Sequence, residues 1–456
     1  MKNHLLISLL IASLLLAACG GGAATPAAPT AAPAEPTAAP AEPTAAPAEP
    51  TAPPETGGGA AQATEITYMM WGAPEELAVW QKVVDDFQAA NPNIKVNVDV
   101  SDWDSYWTKL NTLVAGGTPP DVFAMDAPLF LDWQSRGALL NLKPFIDKTP
   151  GFLDGFYPQT LKAYELPDGY YGMPRDFQTI VVFYNKEMFD AAGVPYPSPD
   201  WTYDNLREIA KKLTLDKDGD GKIDQYGFSA DLWDMELFWS EALWAFGGDI
   251  ISADHTKTLI GEPNARKAWE FIDSMIKDGS IPSPATAGEY GEDLFQAKIA
   301  AMTPIGHWAV PGYVGAGIKM GAAPMPVGPS GRVTSVNSAG FVISKDSKNP
   351  EAAWEFIKFA LSEAGQKRLA ELGFAVPVLQ SVANSPAFLQ QPGDLEQKLF
   401  LDALEYAHMK PVFRGYEEWA SVVGDGLSPV WDGVEELSPT LDNVVKQADD
   451  VLAQNQ

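Results

Sequence analysis

Along the body of the chain, apolar residues switch repeatedly between two spacings. Ile66 to Trp71 is a short apolar run of strand length, and it is followed from Pro74 to Ala90 by Leu77, Trp80, Val84 and Phe87 on one helical face. Ile94 to Val100 alternates as a strand does. Trp103 to Ala115 returns to helical spacing, Asp121 to Met125 to strand, and Leu129 to Gln134 to helix. Further on, Ile180 to Tyr184 is a short apolar strand. Ala265, Trp269, Ile272 and Ile276 line one face of a helix, and Ala353, Phe356, Ile357 and Ala360 line another. A helix also spans Asp204 to Leu213, and from about Pro392 onward the pattern is almost wholly helical. Repeating strand–helix units predict an α/β fold built on mostly parallel sheet covered on both faces.

The first 63 residues follow different rules. Lys2 precedes an apolar run from Leu5 to Leu16 that is broken only by Ser8 and Ser13 and ends in Leu16-Ala17-Ala18-Cys19. Such a run is shorter than the 20 or so residues that span a bilayer, and its small-residue exit fits a cleaved export signal over residues 1–18. The Leu-Ala-Ala-Cys sequence resembles the bacterial lipobox, in which the cysteine becomes the acylated first residue of the mature protein. Cys19 is the only cysteine of the 456 residues, so an internal disulfide is excluded. Residues 19–63 carry the block Thr-Ala-Ala-Pro-Ala-Glu-Pro three times and close on Gly57-Gly58-Gly59. A segment of this composition cannot form a core. Its prolines favour extended polyproline II at about 3.1 Å per residue, a tether reaching on the order of 100 Å from a membrane.

The charge balance narrows the range of partners. With 31 basic against 60 acidic residues the formal net charge is −29, which repels nucleic acid and anionic lipid. No later apolar run is long enough to cross a membrane, so the membrane is reached through the lipid anchor alone. The body that remains is too long for one ordinary domain and comfortable for two.

Asp216-Lys217-Asp218-Gly219-Asp220-Gly221-Lys222-Ile223-Asp224 is the sharpest local motif. Carboxylates at positions 1, 3 and 5, glycine at 6 and a β-branched residue at 8 copy the first half of an EF-hand loop. Hard Ca²⁺ takes six to eight oxygens, so Asp216, Asp218, Asp220, the Lys222 carbonyl and Asp224 are candidate ligands of a structural calcium ion. The departure is at position 12, where Gly227 stands in place of a bidentate glutamate.

Five ordered stretches carry a wider resemblance. They are Gly117-Thr118-Pro119-Pro120-Asp121-Val122-Phe123; Gly172-Met173-Pro174-Arg175-Asp176 leading to Phe183-Tyr184-Asn185-Lys186; and Ala300-Ala301-Met302 through Gly306-His307-Trp308. Gly340-Phe341-Val342-Ile343-Ser344 and Asn349-Pro350-Glu351-Ala352-Ala353-Trp354-Glu355-Phe356 complete the set. In this order they resemble the extracellular solute-binding proteins of carbohydrate ABC importers, in the branch that includes maltose-binding proteins. The resemblance implies a two-lobed periplasmic-binding-protein-like α/β fold with an interlobe cleft and a helical C-terminal segment. One lobe would comprise 64–177 plus 325–376 and the other 178–324 plus 377–456, with crossings near Phe177, Met325 and Pro377. The implied protein is a monomeric, non-enzymatic receptor on the extracellular face of the cell membrane or in the periplasm. It would deliver a sugar or other small solute to the importer's transmembrane subunits.

Sugars present apolar C–H faces to indole rings and hydroxyls to carboxylates and amides. Of the 14 tryptophans, Trp80, Trp269 and Trp354 fall on apolar helix stripes and are assigned to the core. Trp308 follows the Gly306-His307 turn where the family places a stacking aromatic. Trp71, at a strand end before Gly72, and Trp233, within Asp231-Leu232-Trp233-Asp234, are further cleft candidates. Asp126 and Asp176 follow predicted strands or lie at crossings, where ligands sit in open α/β sheets. Gln178 and Arg414 complete the candidate set, Arg414 because it opens a helical segment in a region the family uses to line the second lobe.

A secreted glycoside hydrolase or lyase would also bring carboxylates and aromatics to a cleft. Against it, the chain has no Gly-x-Ser-x-Gly elbow and no His-Glu-x-x-His, and the three histidines beyond the signal, His255, His307 and His408, are widely separated. A surface adhesin or chemosensory module would share the anchor and tether without requiring the five ordered stretches.

Overall fold

The computed structural model describes residues 63–455 apart from 292 and 392–394. The signal segment, Cys19 and the tether up to residue 62 lie outside these described residues. The chain enters through β1 (Thr64–Trp71), α1 (Pro74–Ala90), β2 (Ile94–Ser101), α2 (Trp103–Ala115) and β3 (Val122–Asp126). Pro74 at the first helical position and Glu75 and Glu76 in the first turn suit the start of α1, whose Trp80, Val84 and Phe87 are buried. Asp102 caps α2 by accepting a hydrogen bond from the Ser105 amide at 3.0 Å.

The chain then passes through β4 (Met173–Pro174) and β5 (Gln178–Thr179) into β6 (Val181–Asn185) and α3 (Tyr203–Leu213). Next come α4 (Trp239–Ala245), α5 (Pro263–Lys277), β7 (Met302–Ile305) and β8 (Met320–Ala323). It returns by β9 (Thr334–Asn337), β10 (Ala339–Ile343) and α6 (Pro350–Ala360), and ends in β11 (Ala407–Met409), α7 (Tyr416–Trp431) and α8 (Leu437–Gln454).

Two principal sheets result. The first has the order β2-β1-β3-β10-β4 and the second β8-β6-β7. The sequence pattern pointed to mostly parallel sheet, and this is corrected: within the two principal sheets only β1 with β2 and β1 with β3 pair in parallel. β10 runs antiparallel to β3 and β4, and the second sheet is antiparallel throughout. A parallel pair needs a crossover, which α1 and α2 supply; β10 enters the first sheet only after the chain has passed through the second, and is free to enter reversed.

A third, short sheet, β11-β9-β5, lies where the chain passes from one principal sheet to the other. The chain leaves the first sheet after Pro174 and enters the second at Val181; it leaves the second after Ala323 and rejoins the first at Ala339. Phe177, in the first of these passages, forms an isolated antiparallel bridge with Val376. The C-terminal region is helical as its pattern implies, except for β11, three residues pairing in parallel with β9. Trp80, Trp269 and Trp354 are all buried, as their helix stripes require.

Candidate ligand-binding cleft

A cavity of about 870 Å³ opens at the C-terminal ends of β1, β2 and β3 and is closed from the other side by the loop Asp231–Leu237, Trp308, Lys410 and Asp425. Its position follows the rule for open α/β sheets, that ligands sit beyond the carboxyl ends of parallel strands. Trp71 ends β1, Asp102 follows β2 and Asp126 ends β3, so three successive strands deliver side chains to one edge.

Aromatic rings make much of the wall. Trp71, Trp103, Trp233 and Trp308 all line the cavity. Trp71 packs edge-on to Trp103 at 4.9 Å and to Tyr106 at 5.3 Å, so the rings at this end brace one another. Trp308 is half-buried, and its ring lies so close to Gly306 that a Cβ there would sit 1.7 Å from the indole Cζ3. The adjacent His307 is fully buried, with Nε2 2.7 Å from the Gln397 side-chain oxygen; burial lowers its pKa.

The polar floor is a buried network. Lys410 Nζ donates to Glu236 at 3.0 Å and to Asp234 at 3.4 Å, and lies 3.9 Å from Asp126. Asn337 donates to Asp126 at 2.7 Å and to Glu236 at 3.0 Å, and Gln178 donates to Glu236 at 3.1 Å. Burial works against charge on Lys410, but Asp234, Tyr416, Glu236 and Asp126 outweigh it and hold the ammonium well above its ordinary value. Burial pushes Asp126 up to about 7, against the opposing pull of Lys410. Asp176 is also buried, and accepts from Arg175 Nε at 2.7 Å. The Arg175 guanidinium donates to the Tyr68 hydroxyl at 3.0 Å and stacks 5.1 Å from Trp80, 5.6 Å from Phe374 and 5.7 Å from Trp71.

Of the residues singled out in the sequence, Trp71, Asp126, Asp176, Gln178, Trp233 and Trp308 are brought together around this cavity. Arg414 is not: it is exposed and outside the lining, and the cation of this segment that reaches the cleft is Lys410, four residues earlier. Sequence reasoning also missed Glu76, Trp103, Glu236, Asn337 and Asp425. Trp103 had a usable signal, since it follows an N-cap aspartate at a strand's carboxyl end. Asn337 and Lys410 sit at or beside strands of four and three residues, which carry no periodicity.

The acidic loop lies elsewhere, directly after α3. Carboxylate oxygens of Asp216, Asp218 and Asp224 come within 4.8 Å of one another on an exposed turn, a triad that could hold a metal ion. Asp216 accepts from the amides of Gly219 at 2.7 Å and Gly221 at 2.9 Å, and both glycines adopt positive φ. The Asp220 carboxylate is outside the triad and accepts from the Lys222 amide at 2.8 Å. Gly227 cannot be a glutamate here, because a Cβ would fall 1.9 Å from the Ala210 carbonyl oxygen of α3.

Two sheets joined by a short bridging sheet, with a deep aromatic and polar cavity beside the bridge, define a two-lobed α/β solute receptor of the periplasmic-binding-protein type. The chain belongs to the bacterial extracellular solute-binding protein family, whose sequence profile matches residues 82–396. It is 25% identical over 374 residues to the maltotriose-binding protein of Pyrococcus abyssi, covering 79% of this chain and 74% of that protein. It is 27% identical to the galactooligosaccharide-binding protein of Bacillus subtilis over 335 residues, 69% of this chain and 75% of that protein. An ABC substrate-binding protein of Listeria monocytogenes, in complex with cycloalternan, superposes with a TM-score of 0.79 at 28% identity, covering 86% of this chain and all of that one. The family consists of binding receptors, and the enzyme alternative is set aside.

Proposed function

We propose that this protein captures an oligosaccharide outside the cell and presents it to the transmembrane subunits of an ABC importer. The observation that carries this reading is the lining of the 870 Å³ cavity, in which four indoles face a set of carboxylates and amides. Indoles stack on sugar C–H faces and carboxylates accept from hydroxyls, while the volume exceeds the need of a single sugar ring. The names of the relatives point the same way. In this reading Trp71, Trp233 and Trp308 are stacking walls, Asp126, Asp176 and Gln178 orient hydroxyls directly or through the buried network, and Arg414 stays on the surface outside the lining.

The lobes are proposed as 64–177 plus 325–376 and 178–324 plus 377–456. The crossing near Met325 is supported by the stretch between Ala323 and Ala339, which contains it and separates strands of the two principal sheets. Closure of the lobes around ligand gathers the two sets of contacts, so that binding energy favours the closed state. The protein acts as a monomer, acylated at Cys19 and held on the 19–63 tether. Asp216, Asp218 and Asp224, with the Lys222 carbonyl and water, hold a structural Ca²⁺; Asp220 joins by turning its carboxylate from the Lys222 amide.

Isothermal titration against a panel of mono- and oligosaccharides tests the reading. Stoichiometric binding with the sugar recovered unchanged supports it. Product beyond one equivalent of protein would return the hydrolase, and a Cys19→Ala variant that stays in the membrane fraction would remove the anchor.

A further inference from the structure

We propose, on the reading that the cleft takes a carbohydrate, that its ligand carries a protonated amine: an amino sugar or an amino-substituted oligosaccharide. Nine carboxylate side chains line the cavity against two cations, Arg175 and Lys410. Both cations are buried and already engaged. Arg175 is paired with Asp176 and flanked by aromatic rings, and Lys410 lies among Glu236, Asp234 and Asp126. Neither offers uncommitted charge to a ligand. Glu76, Asp104 and Asp231 line the same cavity and have no ion-pair partner among the described residues.

A neutral sugar needs a few carboxylates as acceptors, each of which must stay ionised in a closed, drying cleft. An excess of seven over the cations leaves like charges facing one another as water is expelled, which is costly. A ligand cation removes that cost, and the indole faces of Trp71, Trp103, Trp233 and Trp308 attract the same charge. Burial already works against charge in the cleft, pushing both Glu76 and Asp126 up to about 7. A bare metal ion does not answer the arrangement. Among the described residues only Asp216, Asp218 and Asp224 converge closely enough for one ion, and they are outside the cleft. The cleft carboxylates are spread along a cavity, which suits an extended organic cation. The chain's net charge of −29 draws cations toward it and repels anionic sugars.

The test is titration at pH 7 and low salt with matched probes: cellotriose against the β-1,4 glucosamine trimer, maltotriose against 6-amino-6-deoxymaltotriose, and trigalacturonate. The amine-bearing member of at least one pair should bind about tenfold or more tightly than its neutral partner, with an advantage that shrinks as salt rises. Trigalacturonate should not bind. Glu76→Gln and Asp104→Asn, checked for unchanged melting, should narrow the amine-to-neutral ratio. Neutral sugars binding as tightly as their amines would overturn this inference and leave the carbohydrate reading standing. Binding of no sugar of any charge would sink both.

Discussion

The indole N–H of Trp233 donates to the Asp425 carboxylate at 2.9 Å, joining two loop and helix segments 192 residues apart in the chain. Trp233 is 43% exposed, an unusual state for so large a ring, yet it is fixed on two sides. Its ring lies on Gly424 of α7, where a Cβ would come within 2.5 Å of it. The glycine therefore serves the ring, since it sits in a helix interior where alanine is the better helix former.

Gly424→Ala should consequently uncouple affinity from stability. Helix propensity favours the substitution by up to about 1 kcal/mol, so melting should be unchanged or slightly higher. The displaced indole should cost roughly tenfold in ligand affinity by titration. A variant that melts several degrees lower while binding normally would show Trp233 to be a packing residue.

Trp308 gives a parallel case. Trp308→Ala should lose about 2–3 kcal/mol of binding, roughly 30- to 150-fold. Gly306→Ala should lose a comparable share, since the added methyl occupies the place of the ring, while φ at that position is −88° and suits any residue. Truncation of the ring should destabilise less than the 3–5 kcal/mol typical of a core tryptophan. If both variants bind as wild type, the wall lies elsewhere.

How far the sequence could be read depended on element length. The helices Pro74–Ala90, Trp103–Ala115 and Pro263–Lys277 were visible because an apolar stripe repeats over several turns. Trp71, Asp126 and Asp176 were found because strand ends are where open sheets bind ligands. The floor of the cleft was not legible. Asn337 and Lys410 come from strands or loops too short for a pattern, and they meet Glu236 across 101 and 174 residues respectively. Arg414 was singled out for a helix start, but α7 begins at Tyr416 behind a left-handed Gly415, and the arginine is left on the surface. Strand direction was equally hidden, because periodicity is the same for parallel and antiparallel pairs.

The acidic loop makes a prediction independent of the cleft. Ca²⁺ bound only by the folded loop should raise the melting temperature by mass action, so chelator should lower it and added Ca²⁺ should restore it. Asp218→Ala should abolish the difference, because Asp218 belongs to the convergent triad. Asp220→Ala should have a smaller effect than Asp218→Ala, since its carboxylate is turned to the Lys222 amide. An identical melt with and without chelator would reduce the loop to an acidic turn.

Glu241 sets a pH dependence at the bridge between the sheets. It is fully buried in α4 and accepts from the Ser335 amide of β9 at 3.1 Å and from the Ser335 hydroxyl. Burial pushes its pKa from 4.5 up to about 8, with the Ser335 hydrogen bonds pulling the other way and the charge of Glu236 adding to the rise. The folded state therefore keeps a proton that the unfolded chain releases above about 4.5, and stability falls as pH rises from there toward 8. Above that the contribution is flat, because both states are ionised. Glu241→Gln keeps an acceptor for Ser335 and removes the titration, so its melting temperature relative to wild type should climb between pH 5 and pH 8. The climb should be about 2 °C or more for a body of this size. Slopes from other groups, Asp126 and Glu76 included, are present in both proteins and cancel in the difference. A constant offset across that range would mean that Glu241 is ionised throughout, held by the Ser335 donors against the cost of its burial.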